Sequence, residues 1–129
     1  MIAGMQATLP VADVPRSVAF YVEALGFEFR GYFDPIAGAV VPTWERDVQP
    51  AYAEVFAGPM RIGFRPAVRV VPVEDLLALY VRDLAETHRR LAGRAAQLTR
   101  PARQPWGAMM FPFADPDGHR WGVLEARTG

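Results

Sequence analysis

At 129 residues, with 51% of them apolar, the chain is long enough for one domain with a real core. Its 14 basic and 14 acidic residues cancel, so it lacks the basic footprint usual in nucleic-acid binding. Cysteine is absent, which excludes disulfides and thiolate chemistry, and no signal-peptide pattern or apolar run near bilayer length is present, so a cytoplasmic protein with no membrane partner is expected.

Met5 to Val11 reads as a first strand. Asp13 is a helix N-cap, and Pro15 sits in the first turn, where a missing N–H is harmless. Val14, Val18, Tyr21, Val22 and Leu25 then fall on one helical face, and Gly26 closes the helix. Phe27 to Phe33 is a second strand. Residues 34 to 50 are broken by Pro35, Gly38, Pro42 and Pro50 and read as a loop. Ala51 to Ala57 and Met60 to Arg65 make a hairpin about Gly58-Pro59.

The order then repeats. Leu76 to Val81 is a strand and Asp83 a cap. Leu84, His88, Leu91, Ala92 and Ala95 form a helical face. Ala96 to Leu98 is a short strand, and Thr99 to Gly107 reads as a Pro- and Arg-rich loop. Met109 to Ala114 and Arg120 to Glu125 form a last hairpin around Asp115-Pro116-Asp117-Gly118, which suits a type I turn. A shift of seventy positions lays Leu9, Val11, Asp13 and Tyr21 on Leu79, Val81, Asp83 and Leu91. The pattern is an α+β fold of two tandem βαβββ modules, expected as a curved mixed sheet (a cup) with helices on the outer face. We expect a single domain over 1–129, with module one at 1–66 and module two at 75–129.

Strand residues alternate sides. Leu9, Val11, Ile62, Phe64, Leu79, Trp121 and Val123 fall on an apolar face, to be covered by the helices. Gln6, Thr8, Arg61, Gly63 and Arg65 fall on the other face, and so do Leu76, Ala78, Tyr80, Arg120 and Gly122. Pairing across the hairpins adds Tyr52, Glu54 and Phe56, and then Met109, Phe111 and Phe113. Aromatic walls with sparse polar anchors are the make-up of a small-molecule pocket, although a dimer interface has similar composition.

The segments Gln6-Ala-Thr-Leu-Pro-Val-Ala-Asp13, Ser17-Val-Ala-Phe-Tyr21, Leu25-Gly-Phe27 and Asp115-Pro-Asp-Gly-His-Arg-Trp121 resemble the vicinal-oxygen-chelate superfamily, also called glyoxalase/bleomycin resistance/dioxygenase proteins. The resemblance implies four metal-ligand positions, here Gln6, Gly63, Leu76 and Gly122. Glycine and leucine offer no side-chain donor, so no metal and no cofactor are expected. His119, in the last turn, and His88, on a helix face, are better read as hydrogen-bonded histidines than as ligands. Asp115 and Asp117 belong to the turn.

The reading is a metal-free small-molecule-binding protein of bleomycin-resistance type, sequestering an antibiotic or aromatic metabolite, with no catalytic residue. Walls are expected from Tyr52, Phe56, Tyr80, Met109, Phe111 and Phe113, with Trp44 and Trp106 on loops that either close over the pocket or cap the core. Gln6 and Thr8 would supply hydrogen bonds. Arg61, Arg65 and Arg120, against Glu54, favour a neutral or anionic ligand. The resemblance also implies a homodimer. The alternative is a metal-dependent lyase, isomerase or dioxygenase of the same superfamily with an atypical metal site.

Overall fold

A computed structural model describes residues 1–75 and 77–126; the expected site position at Leu76 lies outside the described residues. The chain forms two compact units, Met1–Val71 and Pro72–Gly129. Each is a βαβββ-like module with a mixed sheet and a helix on one face, giving the expected α+β architecture.

The first unit runs β1 (Met5–Val11), α1 (Val14–Leu25), β2 (Glu28–Asp34), β3 (Ala39–Val41), β4 (Tyr52–Ala57) and β5 (Met60–Pro66). The strands lie in the order β1-β5-β4-β2-β3, with β1 parallel to β5 and the other pairs antiparallel. Helix α1 begins where expected: the Asp13 carboxylate accepts the Arg16 N–H at 3.1 Å. It ends on Gly26 at φ 75°, a left-handed conformation that glycine adopts without strain. The apolar stripe of α1 lies on the sheet, with the Tyr21 and Phe64 ring centroids 5.2 Å apart. Val11, Val14, Val55, Ile62 and Phe64 are fully buried there.

The expected loop over 34–50 contains a strand. Asp34 Oδ1 accepts the N–H groups of Ile36 and Ala37, and Gly38 takes φ 64°, which turns the chain back along β2 as β3. The remainder folds to the helix side. Gln49 Oε1 accepts the Val14 N–H at 2.7 Å, a second cap on α1, and Arg46 pairs with the buried Asp34 at 2.7 Å.

The second unit runs β6 (Leu77–Val81), α2 (Leu84–Leu91), β7 (Ala102–Arg103), β8 (Met109–Ala114) and β9 (Arg120–Glu125), in the order β6-β9-β8-β7. Helix α2 stops at Leu91, because Ala92 is already extended (φ −61°, ψ 128°), so Ala95 does not extend its stripe. The strand expected at 96–98 is reduced to one bridge, Ala96 to Ala114, and the expected loop 99–107 contributes β7 instead. Both histidines are hydrogen-bonded. His88 Nε2 lies 3.0 Å from the Thr99 carbonyl, and the fully buried His119 accepts the Val73 N–H on Nδ1 at 2.9 Å.

The two main hairpins differ by one residue, and that decides what faces where. In module one the loop is Gly58-Pro59, between the paired Ala57 and Met60. Glu54 therefore sits opposite Gly63, and Phe56 opposite Arg61, as expected. In module two Gly118 adopts φ 86° and donates to the Asp115 carbonyl at 2.9 Å, while the Asp115 N–H donates to the His119 carbonyl at 3.0 Å. The loop is thus three residues, a type I turn closed by a left-handed glycine. This odd length sets Phe113 opposite Trp121 and Phe111 opposite Val123. A one-residue slip exchanges every side chain between faces.

Candidate functional site

The face of the module-one sheet away from α1 is a grid. One row across the strands is Gln6 (β1), Arg61 (β5), Phe56 (β4) and Glu28 (β2); the next is Thr8, Gly63, Glu54 and Gly31. A third row is edged by Tyr52 on β4 with Phe33 opposite it on β2. Tyr52 does not stand upright. An ideal Cβ on Gly63 would lie 2.2 Å from the Tyr52 hydroxyl and 2.7 Å from its ring, so the phenol reclines across the glycine in space that any side chain would fill.

A hydrogen-bond chain holds it there. Gln6 Nε2 donates to the Tyr52 hydroxyl at 2.7 Å, and the hydroxyl donates to Glu54 Oε2 at 3.2 Å. Arg61 lies 3.6 Å from Glu54 Oε1, and Gln6 also reaches Thr8 at 3.4 Å. Burial raises the Tyr52 pKa above its ordinary value, and the Glu54 charge and the hydrogen bond to Glu54 push the same way. The group therefore acts as a proton-holding phenol. Gln6, Thr8, Tyr52, Glu54 and Arg61 are brought together, and Phe56 adjoins them in the next row. A shallow pocket of ≈ 260 Å³ opens beside Gln6 and Arg61, bounded also by Met5 and Pro59. Sequence reasoning missed Arg30, whose guanidinium lies 5.8 Å from the Phe56 ring centroid, and Phe33. The bulge between Phe29 and Gly31 that re-aims this strand has one visible trace, an in-strand glycine.

The expected walls at Phe111, Phe113 and Met109 are corrected. Phe111 and Phe113 are fully buried on the helix side: Phe111 meets His88 of α2 edge-on at 4.9 Å, and Phe113 stacks on Trp121 at 6.5 Å. Met109 alternates onto that same side, opposite Arg103. The added turn residue at Gly118 is the cause. Of the two roles open to Trp44, the structure takes the core cap. Its indole N–H donates to the Val48 carbonyl at 2.7 Å, and its ring packs 6.1 Å from Tyr32, a core-side residue of β2. Trp106 sits exposed at the tip of the β7–β8 hairpin.

The open face of module two is therefore built from other residues. Its central row is Ala78 (β6), Gly122 (β9) and Pro112 (β8). On one side stand Tyr80, Leu124 and Met110, with Tyr80 72% exposed; on the other stand Arg120 and Ala114. The side chains of this row are small and apolar. Arg120 Nε is buried there and makes no hydrogen bond.

The sequence profile of the Glyoxalase/Bleomycin resistance protein/Dioxygenase superfamily matches residues 5–123. The chain belongs to this superfamily. Solved structures share the fold. A superfamily member from Sphaerobacter thermophilus aligns over 98% of each chain with 21% identity and TM-score 0.71. TioX from Micromonospora sp. ML1 aligns over 96% of this chain and 98% of its own, at 18% identity and TM-score 0.68. The bleomycin-binding protein of Streptomyces verticillus, solved with copper(II)-bleomycin, aligns over 98% of each chain at 21% identity and TM-score 0.69. Among curated proteins no sequence match was found.

Superfamily membership raises the question of a metal, and the residues here do not fit one. Of the four implied positions, Gly63 and Gly122 carry no donor atom. Gln6 spends its amide on Tyr52, and the Tyr52 phenol fills the space at Gly63. Among the described residues no group of three His, Cys, Asp or Glu side chains is placed to hold an ion. The donor set is consistent with the metal-free type. No helix among the described residues is long and apolar enough to cross a membrane.

Proposed function

We propose that the protein binds and sequesters a small planar molecule, an antibiotic or aromatic metabolite, without transforming it. One observation carries the reading: the space at Gly63 is occupied by a hydrogen-bonded tyrosine that only a glycine admits. The fold is one that holds copper(II)-bleomycin in the Streptomyces verticillus protein.

The open face of module two supports a choice of ligand. Its central row of Ala78, Gly122 and Pro112 carries small apolar side chains, and the exposed Tyr80 ring stands at one side. Arg120 carries a desolvated donor with no acceptor. A buried donor left unpaired costs free energy that a ligand oxygen recovers, and guanidinium matches carboxylate in shape and charge. An aromatic carboxylate satisfies both features at once, by stacking and by ion pairing.

Calorimetric titration with 2-naphthoate and with its neutral amide tests this. The acid is expected to bind about tenfold tighter than the amide, and Arg120→Gln to erase that difference. Equal binding of acid and amide by the wild type would refute the ligand class. Elemental analysis tests the metal-free reading separately: a stoichiometric metal that survives dialysis, with a turnover lost on chelation and restored on return of the metal, would overturn it.

A further inference from the structure

Glu54 stands in the middle of the module-one sheet with glycine on both neighbouring strands, Gly63 on β5 and Gly31 on β2. Its two carboxylate oxygens are treated differently. Oε2 accepts the Tyr52 hydroxyl. Oε1 is sealed from solvent yet accepts no hydrogen bond. The cation over it, Arg61, stops at 3.6 Å, and its side chain is 50% exposed while that of Glu54 is 14% exposed. A buried carboxylate oxygen calls for a directed N–H, and an ion pair at this separation supplies charge without one. Arg61 is thus a loose cover on an unfilled acceptor.

The neighbours sharpen what would fill it. Tyr52 already donates its proton to Glu54 and accepts from Gln6, so it has no further proton to give. The remaining demand is for a donor. The ≈ 260 Å³ pocket lined by Gln6, Arg61, Met5 and Pro59 does not include Glu54, but Arg61 belongs to both, lining the pocket and pairing with the carboxylate. Its volume exceeds the roughly 150 Å³ that accommodates a benzene ring, and Met5 and Pro59 are apolar.

We propose that Glu54 is a receptor for a planar N–H cation, an amidinium or guanidinium borne on an aromatic ring, and that Arg61 is the internal guanidinium which such a ligand displaces. The exchange is charge-neutral at Glu54: one delocalised cation leaves for solvent, where it is already half exposed, and another arrives with N–H groups aimed at Oε1. This rests on reading the open faces as ligand-binding surfaces, but it concerns the other module and the opposite charge from Arg120.

The test uses the full-length 15N-labelled protein titrated with benzamidinium at constant ionic strength, with benzamide and benzoate as comparators. Benzamidinium is expected to shift the Thr8, Glu54 and Gly63 amides saturably, and benzamide to do so about tenfold more weakly. Arg61→Ala, which removes the cover, should tighten benzamidinium about tenfold. Glu54→Gln keeps the shape and should erase the preference for benzamidinium over benzamide. Thermal melts verify that both variants are folded. The proposal is overturned if Arg61→Ala leaves benzamidinium affinity unchanged or weaker, or if benzoate moves the same amides as strongly. The two readings fail separately. Discrimination by Arg120 against 2-naphthamide, with no response to Arg61→Ala, leaves the carboxylate face standing and removes this one; the converse result removes only the carboxylate face.

Discussion

The two modules repeat one backbone and use it in opposite ways. In module one the central row of the open face, Thr8-Gly63-Glu54-Gly31, is roofed by a tyrosine two residues before Glu54 and tied down by Gln6. In module two the corresponding row, Ala78-Gly122-Pro112, has Met110 two residues before Pro112. Its charged neighbour, Arg120, has an unpaired buried donor. Glycine stands at the same place in both hairpins, but it admits a packed side chain in one and belongs to a row of small apolar residues in the other. The strand order around the glycine repeats although the hairpin register does not; what a position does is decided by the side chain that leans on it.

The assignment of faces in module two is the first thing to break. If Phe113 packs against Trp121 under α2, Phe113→Ala removes a fully buried ring and should cost about 3–5 kcal/mol in urea unfolding. Tyr80→Ala, on the open face, should change stability by no more than about 0.5 kcal/mol. Similar costs for the two would mean that the register across the Gly118 turn is wrong and that the open face of module two carries Phe111 and Phe113 after all.

A smaller effect separates the two glycines. Gly63→Ala places a methyl where the Tyr52 hydroxyl lies, and overpacking of this kind costs about 1–3 kcal/mol. The double variant Gly63→Ala/Tyr52→Ala should be less destabilised, relative to Tyr52→Ala alone, than Gly63→Ala is relative to wild type. Additive costs in that cycle would show that Tyr52 does not rest on Gly63 in solution.

Most of the fold was legible because its signals are local. Asp13 and Asp83 cap helices, Gly26 closes one, and the alternation Leu9, Val11, Ile62, Phe64 marks the covered face. The module-one site was legible for the same reason: Gly58-Pro59 is a two-residue loop, and counting outward from it pairs Glu54 with Gly63 correctly. In module two the same counting fails, since Asp115-Pro116-Asp117-Gly118 accommodates either an even or an odd loop, and only the left-handed Gly118 together with the Asp115–His119 pair selects the odd one. Reclining of Tyr52 over Gly63 was illegible altogether. The sequence places Gln6, Tyr52 and Glu54 on one face, but the hydrogen bonds that lay the ring down are long-range, spanning 46 positions between Gln6 and Tyr52. The role of Trp44 was undecided in the sequence for a similar reason: a long-range tether, the bond from the Val14 N–H to Gln49, draws its loop to the helix side.

The faintest effect is electrostatic, and the composition makes it measurable. Lysine is absent, so no ammonium side chain overlaps the range in which a phenol ionises. Tyr52 has its pKa raised above 10.0, by burial first and then by the Glu54 charge; Tyr32 is raised also, by burial first and then by the Asp13 charge. A raised folded value means that the folded state holds its proton longer than the unfolded chain. The stability tied to it is present in full below about pH 10 and is lost as pH climbs from there through the folded value. Denaturation midpoints taken between about pH 9 and about pH 11.5 should therefore fall more steeply for the wild type than for Tyr52→Phe, which lacks the Tyr52 contribution and keeps that of Tyr32. Glu54→Gln should moderate the slope without abolishing it, because it removes the charge beside Tyr52 and leaves burial, the larger cause, in place. Were Tyr52→Phe to show the wild-type slope, the phenol would be ionising as if in water, and the hydrogen-bonded roof that distinguishes module one from module two would not exist.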